Sequence, residues 1–597
     1  MRFGIRALAL AVACLAGGSP AGAACVFAKA AELPVTMRGL RPTITTKING
    51  HDAIFIVDTG AFYSMLSKEA AQRFGMKPSM APAGLRIRGV GGSDAPAEVA
   101  RAQEFVFAGQ AHKNVEFLVG GRLGGEETVG LLGQNILGSM DIEYDLANGY
   151  LRFFRAKGCG DANLAYWSAG KPVSRLPLKG DEGRVLMKVT TSAKIDGHSI
   201  NVHWDSGASL SVLSRPAAAR AGIRPSSENV SAGGVSYGVF GGGLETSLAP
   251  FSSFAIGDEE VRNTRLRVAD IELQDADMLL GADFFLSHRI LVSRSQGKLY
   301  FTYNGGPVFR LDREARQVQA AGGDAAAPAS AAGPKTAAEY SLRGAASAAR
   351  RDFTAAIADL SKAIELDPAE TQYYKARAMA RLGARQPLPA MADLGEVLRR
   401  KPDDVDTLVT RGSLYLSAKN GPEARADFEA ARKHAPNDVQ VALRIGRVYS
   451  ANNAFEAAIK EYDRALAAQP DGEQAPHILN ERCWSRALSG RELESALADC
   501  DLALKKGGRN SAFMDSRGLV LLRLGRLDEA IRQYDASIKA QPKHAWSLYG
   551  RGLAKLRKGD KAGGEADIAA AMAIEPGVAE QAKQIGLAPD GQHAAAS

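Results

Sequence analysis

Two aspartates open the same kind of turn at widely separated points in the chain: Asp58-Thr59-Gly60-Ala61 and Asp205-Ser206-Gly207-Ala208. One such tripeptide is an ordinary turn, because Asp, Thr, Ser and Gly all favour turns. Two copies, each entered by a short apolar run, carry more weight. Two carboxylates held within hydrogen-bonding distance cannot both ionise, so they share one proton from acid to near-neutral pH. The ionised member can draw a proton from water while the protonated member polarises a carbonyl. That chemistry suits direct attack of water on an amide, with no covalent intermediate on the protein. The roles belong to the pair as a unit rather than to either residue.

The elements that must position these carboxylates are legible on both sides of each turn. Ile54-Phe55-Ile56-Val57 leads into Asp58, and Ile200-Asn201-Val202-His203-Trp204 into Asp205. Each turn is followed by a second short strand, Ser64-Met65-Leu66-Ser67 or Ser211-Val212-Leu213-Ser214. A Ser-capped helix stopped by Gly75 or Gly222 comes next. Downstream, Gly130-Leu131-Leu132-Gly133 and Met278-Leu279-Leu280-Gly281 each precede another pair of strand-like runs. Both sets are offset by about 150 residues, so one unit is duplicated.

The paired Asp-Thr/Ser-Gly turns and their Leu-Leu-Gly segments resemble the aspartic proteases, the retroviral type above all. The resemblance covers roughly residues 30–303 and places both halves in one chain, as in pepsin-like enzymes. It implies that Asp58 and Asp205 are the catalytic dyad and that Thr59 and Ser206 lock the two turns across the lobe boundary. It implies further that Leu132-Gly133 and Leu280-Gly281 pack beneath the turns. Gly60 and Gly207 allow backbone geometry that a side chain would obstruct. A Gly-rich flap is expected at Gly89, Val90, Gly91 and Gly92, with a second candidate around Gly233 and Gly234. The copies are not equal: Trp204 is bulkier than the usual aliphatic residue, and His203 shares by alternation the face of Asp205.

Other chemistries find little support. Gly234-Val235-Ser236-Tyr237-Gly238 has the spacing of a serine nucleophile elbow, but three glycines follow it where that motif needs a helix. The nine histidines include no His-Glu-x-x-His, and no Cys-x-x-Cys or phosphate-binding Gly-Lys-Ser/Thr segment occurs, so no metal or cofactor is expected. The formal charge of +8 is mild for 597 residues and forms no basic stripe, which argues against nucleic acid.

The N-terminus reads as a secretory signal over residues 1–24: Arg2 and Arg6, an apolar run from Ala7 to Ala16, then small residues through Ala24. The run is well short of the roughly 20 apolar residues that span a membrane, and no other stretch approaches that length. Residues after the signal include Cys25, Cys159, Cys483 and Cys500. Cys25 and Cys159 bracket the first β unit, while Cys483 and Cys500 fall on consecutive predicted helices, so two disulfides are expected in those pairs. Lipidation of Cys25 is the rival reading, although Gly22 stands where a branched residue is normal.

Lobes are thus expected at 30–158 and 170–305, then an Ala/Gly/Pro/Ser linker at 312–336. Beyond it Pro368, Pro402, Pro436 and Pro470 recur about every 34 residues, as do Pro542 and Pro576. Ala424 and Phe428, Ala458 and Tyr462, and Ala530 and Tyr534 lie four apart on one helix face. This resembles the tetratricopeptide (TPR) pattern, with about seven units over 337–578 and a tail at 579–597. The expected architecture is multidomain: two all-β acid-protease-like barrel lobes and an all-α solenoid. The function implied is an exported aspartic endopeptidase acting on peptide or protein substrates, with a solenoid groove for a protein partner, in the periplasm or outside the cell. Two alternatives stand beside it. One is a protease fold without hydrolysis, acting as a scaffold through the solenoid. The other is pairing of lobes between chains.

Overall fold

The computed structural model describes residues 25–81, 86–88, 94–120, 128–168, 172–179, 188–224, 227, 229–237, 243–273, 275–309, 333–472 and 474–587. The chain divides into two compact units, one reaching Ala384 and the other starting at Arg385.

In the first unit each copy of the duplicated sequence closes into a sheet of its own. Arg41–Ile48 and His51–Val57 form a hairpin, and Thr128–Leu132 runs parallel to the second of these strands. Gln110–Val119 and Glu98–Phe107 follow, and Glu98–Phe107 pairs back to Arg41–Ile48. The second copy repeats this with Thr190–Ile195, His198–Trp204, Met278–Leu280, Glu259–Ala269 and Gly243–Ile256, closed by the pairing of the first and last. Two-residue turns join the leading hairpins: Asn49-Gly50 at φ 48° and 83°, and Asp196-Gly197 at φ 44° and 82°. Two successive positive φ angles match the strand twist, which is why Asn/Asp-Gly stands at both places.

Alternation along the strands sets what is inside. Phe55, Phe105 and Phe117 fill the first lobe, and Trp204, Phe254 and Phe284 the second. Trp204 is wholly buried, packs edge-on against Phe284 at 5.5 Å, and donates its indole N–H to the Thr191 hydroxyl at 2.9 Å. Its bulk therefore serves the lobe core, on the face opposite the dyad. Ser67 and Ser214 cap the short helices Lys68–Arg73 and Arg215–Arg220 as expected.

A six-stranded sheet joins the lobes. Asp141–Asp145 of the first pairs antiparallel with His288–Ser293 of the second, and Val26–Pro34 adds an outer strand. Glu143, fully buried in this sheet, accepts from Arg152 at 2.5 Å and from Arg289 at 2.9 Å. One guanidinium comes from each lobe, so the buried carboxylate would be left with only part of its compensation if the lobes separated. Cys25 is disulfide-bonded to Cys159, which fastens the outer strand's beginning, and Cys483 to Cys500 in the helical region.

The helix Ala337–Ala349, opened by a Thr336/Glu339 capping box, packs on the strand Thr36–Arg38 of the first lobe. Leu342 comes so close to Gly149 that a Cβ there would lie 2.6 Å from the Leu342 Cβ. Arg350 donates to the Leu286 carbonyl at 3.2 Å. The first helices of the repeat region therefore belong to the same compact unit as the lobes. Most of the expected linker lies outside the described residues.

The second unit is a succession of helices, most of 13 to 15 residues, from Pro387–Arg400 to Lys561–Ile574, with the shorter Val578–Gln584 after them. Ala424, Phe428, Ala458, Tyr462, Ala530 and Tyr534 are all buried. Each ring lies over a glycine of the preceding helix: Cβ atoms at Gly412, Gly446 and Gly518 would fall 2.6, 2.6 and 2.8 Å from Phe428, Tyr462 and Tyr534. A recurring fork ties the helices of a pair, with Arg411 on Asp427, Arg482 on Asp499 and Arg551 on Asp567, each bidentate at 2.6–2.9 Å. Among the described residues no helix is long and apolar enough to cross a membrane.

Candidate active site

Asp58 and Asp205 follow directly on the paired strands His51–Val57 and His198–Trp204. Each backbone N–H is held by the neighbouring parallel strand, Asp58 by the Leu132 carbonyl at 3.0 Å and Asp205 by Leu280 at 2.9 Å. Each carboxylate then curls over its own turn. Asp58 Oδ1 accepts from the N–H groups of Gly60 and Ala61, both at 2.9 Å, and Asp205 Oδ1 accepts from Gly207 and Ala208 at the same distances.

The two turns interlock. Thr59 donates its hydroxyl to the Trp204 carbonyl at 2.7 Å and accepts the Ser206 N–H at 2.8 Å. Ser206 returns both bonds, to the Val57 carbonyl at 2.7 Å and from the Thr59 N–H at 3.2 Å. All four groups are removed from water, so each bond forgone would strand a buried polar atom. The glycines are dictated by the opposite carboxylate: a Cβ on Gly60 would lie 2.5 Å from the Asp205 carboxyl carbon, and one on Gly207 2.4 Å from that of Asp58.

The carboxyl groups are hydrogen-bonded to each other, and the Asp58 pKa stands well above the ordinary carboxylate range. Burial is the main cause and the Asp205 charge the second; the Gly60 and Ala61 N–H groups oppose them. Such a pair retains one shared proton.

Below the turns, Gly133 and Gly281 lie against backbone, where Cβ atoms would meet the Tyr63 and Leu210 carbonyl carbons at 2.8 and 2.6 Å. Their N–H groups donate to the hydroxyls of Ser64 at 3.0 Å and Ser211 at 2.9 Å. Behind these serines stand residues whose role the sequence reading did not assign. Asn135 accepts from the Ser64 N–H and hydroxyl at 2.8 Å, and Asp283 does the same for Ser211 at 3.0 and 2.6 Å. Burial pushes the Asp283 carboxyl up to about 6 against the bonds from Ser211. Gln134 adds a bond from its amide to the Thr59 carbonyl at 3.0 Å. Their sequence signal was the matched offset of Asn135 and Asp283, each two residues beyond its glycine.

The flap positions Gly89, Val90, Gly91 and Gly92 lie outside the described residues; the antiparallel strands Arg86–Arg88 and Asp94–Pro96 stand on either side of them. Gly233 and Gly234 sit at a bulge in the strand Ser231–Tyr237, Gly234 with φ 81°, and Arg267 donates to the Gly233 carbonyl. Next to Asp58, Phe62 and Tyr63 expose their rings, and the Lys188 ammonium lies 5.7 Å from the Phe62 ring. Among the described residues no group of three or more His, Cys, Asp or Glu is arranged to hold a metal.

The family model for aspartyl proteases matches residues 44–136 and again 191–284, and a tetratricopeptide repeat model matches 409–473 and 516–579. The chain joins an aspartyl protease domain in two segments to tetratricopeptide repeats. The two protease segments each contain one Asp-Thr/Ser-Gly turn and one Leu-Leu-Gly segment. No curated protein matches the chain. Among solved structures it is similar to YrrB, described as a TPR protein with an unusual peptide-binding site, at 20% identity and TM-score 0.24 over 32% of this chain and 97% of that one. It is also similar to a tetratricopeptide repeat protein from Parabacteroides merdae, at 15% identity and TM-score 0.35 over 42% of this chain and 96% of that one.

Proposed function

We propose that this chain is an exported aspartic endopeptidase that hydrolyses peptide bonds with the Asp58–Asp205 pair, and that its TPR region binds a protein partner or substrate. The observation that carries this reading is the reciprocal lock of Thr59 and Ser206, which holds two carboxylates in hydrogen-bonding contact over one shared proton. In the reaction a water oxygen attacks the amide carbon and gives a proton to the ionised carboxylate, while the protonated carboxyl delivers its proton to the carbonyl oxygen. When the tetrahedral adduct collapses, the departing nitrogen takes a proton from the pair. A carboxylate and an amine are released, and the pair again holds one proton. Turn N–H groups already aimed at the carboxylates need no reorganisation during these steps.

Export is supported by the signal-like N-terminus and by the two disulfides, which suit an oxidising compartment. The test is digestion of a diverse peptide library from pH 3 to 7 by the purified protein beside Asp58→Asn and Asp205→Asn. Cleavage by the wild type with a loss of at least roughly a thousandfold in both variants is expected. Cleavage that survives either substitution sinks the mechanism. No cleavage by a folded wild type would leave the TPR region as the seat of function.

A further inference from the structure

The two lobes match at the dyad but not beside it. Alternation puts Ile56 and His203, each two residues before its aspartate, on the dyad side of their strands. In the first lobe this position is apolar: Ile56 packs with Met65 and Leu131. In the second it is an imidazole, half-buried, whose Nδ1 lies 3.2 Å from the Thr190 hydroxyl on the paired strand. The ring also hydrogen-bonds the Gly60 backbone across the lobe boundary. The Gly60 N–H is already committed to Asp58, so the partner is the Gly60 carbonyl and the ring is the donor. A neutral ring satisfies both contacts in one tautomer, accepting from Thr190 and donating to Gly60.

We infer that His203 is a positioning residue of the dyad: from the second lobe it fastens the first lobe's catalytic turn at Gly60, and it places a base beside Asp205 that the first lobe lacks. The inference deepens the protease reading, and its kinetic arm rests on that reading.

The groups that bear on the ring are few among the described residues. Burial disfavours its charged form, Asp205 and the Gly60 bond favour it, and Lys188, just before the paired strand, opposes it; the balance lies below the ordinary histidine value. Lys188 is itself engaged by Asp275 at 3.0 Å. The neighbouring strand Met278–Leu280 brings no ionisable side chain. At low pH the imidazole therefore takes its proton while Asp205 is still available as its counter-charge. An imidazolium there opposes the second proton on the dyad, which is the event that removes the base and ends activity. His203 thus extends activity toward acid pH.

The experiment is the pH profile of kcat/KM for wild type, His203→Gln and His203→Lys, together with titration of the His203 ring by NMR in histidine-labelled wild type and Asp205→Asn. His203→Gln should lower the plateau several-fold and move the acid limb up by about one pH unit. His203→Lys should return the limb toward wild type. An acid limb that stays in place in a folded His203→Gln protein overturns the inference. The titration does not need catalysis. A His203 pKa that falls by about one unit in Asp205→Asn supports the contact, and an unchanged one overturns it, even if the protein cleaves nothing or His203→Gln fails to fold.

Discussion

Asp283 carries the sharpest stability prediction. It occupies in the second lobe the place that Asn135 holds in the first, accepting the N–H and hydroxyl of the serine that supports the turn. Asn135 shows that an amide oxygen suffices there. Asp283 brings a charge into the same buried place, and its pKa rises from 3.8 to about 6. An acid with a raised pKa binds its proton more tightly folded than unfolded. Its cost is therefore absent below about pH 4, grows as the unfolded chain ionises first, and is complete above about pH 6. A rise of roughly two pH units is about 3 kcal/mol at 1.36 kcal/mol per unit. Asp283→Asn should remove that penalty while losing the attraction of Arg267 that partly offsets it. The variant's stability relative to wild type should therefore improve by about 2–3 kcal/mol between pH 4 and pH 8. Urea titrations at both pH values, followed by tryptophan fluorescence, would read it, because Trp204 packs on Phe284, the residue after Asp283. The change in the difference between the two pH values is what matters, since it cancels any pH-independent loss of hydrogen bonding. A difference that is the same at pH 4 and pH 8, or that moves against the variant at pH 8, would refute the argument.

Three further outcomes follow from the same geometry. Thr59→Ala strands the Ser206 N–H and the Trp204 carbonyl and should cost about 3 kcal/mol in denaturant titration, whereas Thr59→Ser should cost under about 1. Gly60→Ala drives a methyl into the Asp205 carboxylate, so peptide cleavage should fall by roughly a hundredfold or more in a protein whose circular dichroism is unchanged. Replacing Cys483 and Cys500 together by serine opens a link between residues 17 apart and should lower the stability of the helical transition by about 3 kcal/mol, read by circular dichroism in urea.

What could be read from the sequence depended on the range of the forces involved. Turn chemistry and periodicity are local, so the paired aspartate turns, the Ser-capped helices and the small-before-bulky helix pairs declared themselves in a few residues each. The duplication carried more, since finding a second Asp-Thr/Ser-Gly and a second Leu-Leu-Gly at one offset supplied a long-range relation that no single motif contains. The joining sheet stayed hidden: nothing in Asp141–Asp145 says that its neighbour is His288–Ser293, because that pairing depends on how two finished lobes meet. The docking of Ala337–Ala349 on the first lobe was hidden for the same reason, as its sequence is that of any amphipathic repeat helix.

The duplication also explains why the remaining site residues were hard to see. The copies agree wherever the two turns must touch, at Asp58/Asp205, Gly60/Gly207 and Gly133/Gly281, because there each glycine is fixed by an atom of the opposite turn or of the strand above it. They differ where each lobe answers only to itself. Val57 and Trp204 each fill their own core, and the larger ring is accommodated by Thr191 and Phe284. Asn135 and Asp283 perform one hydrogen-bonding task with and without a charge. Ile56 and His203 differ on the dyad side itself, so the two halves that look equivalent in the Asp-Thr/Ser-Gly signature face the shared proton unequally. Symmetry of sequence locates the carboxylates; the departures from it are where the pH response and stability of this chain must be sought.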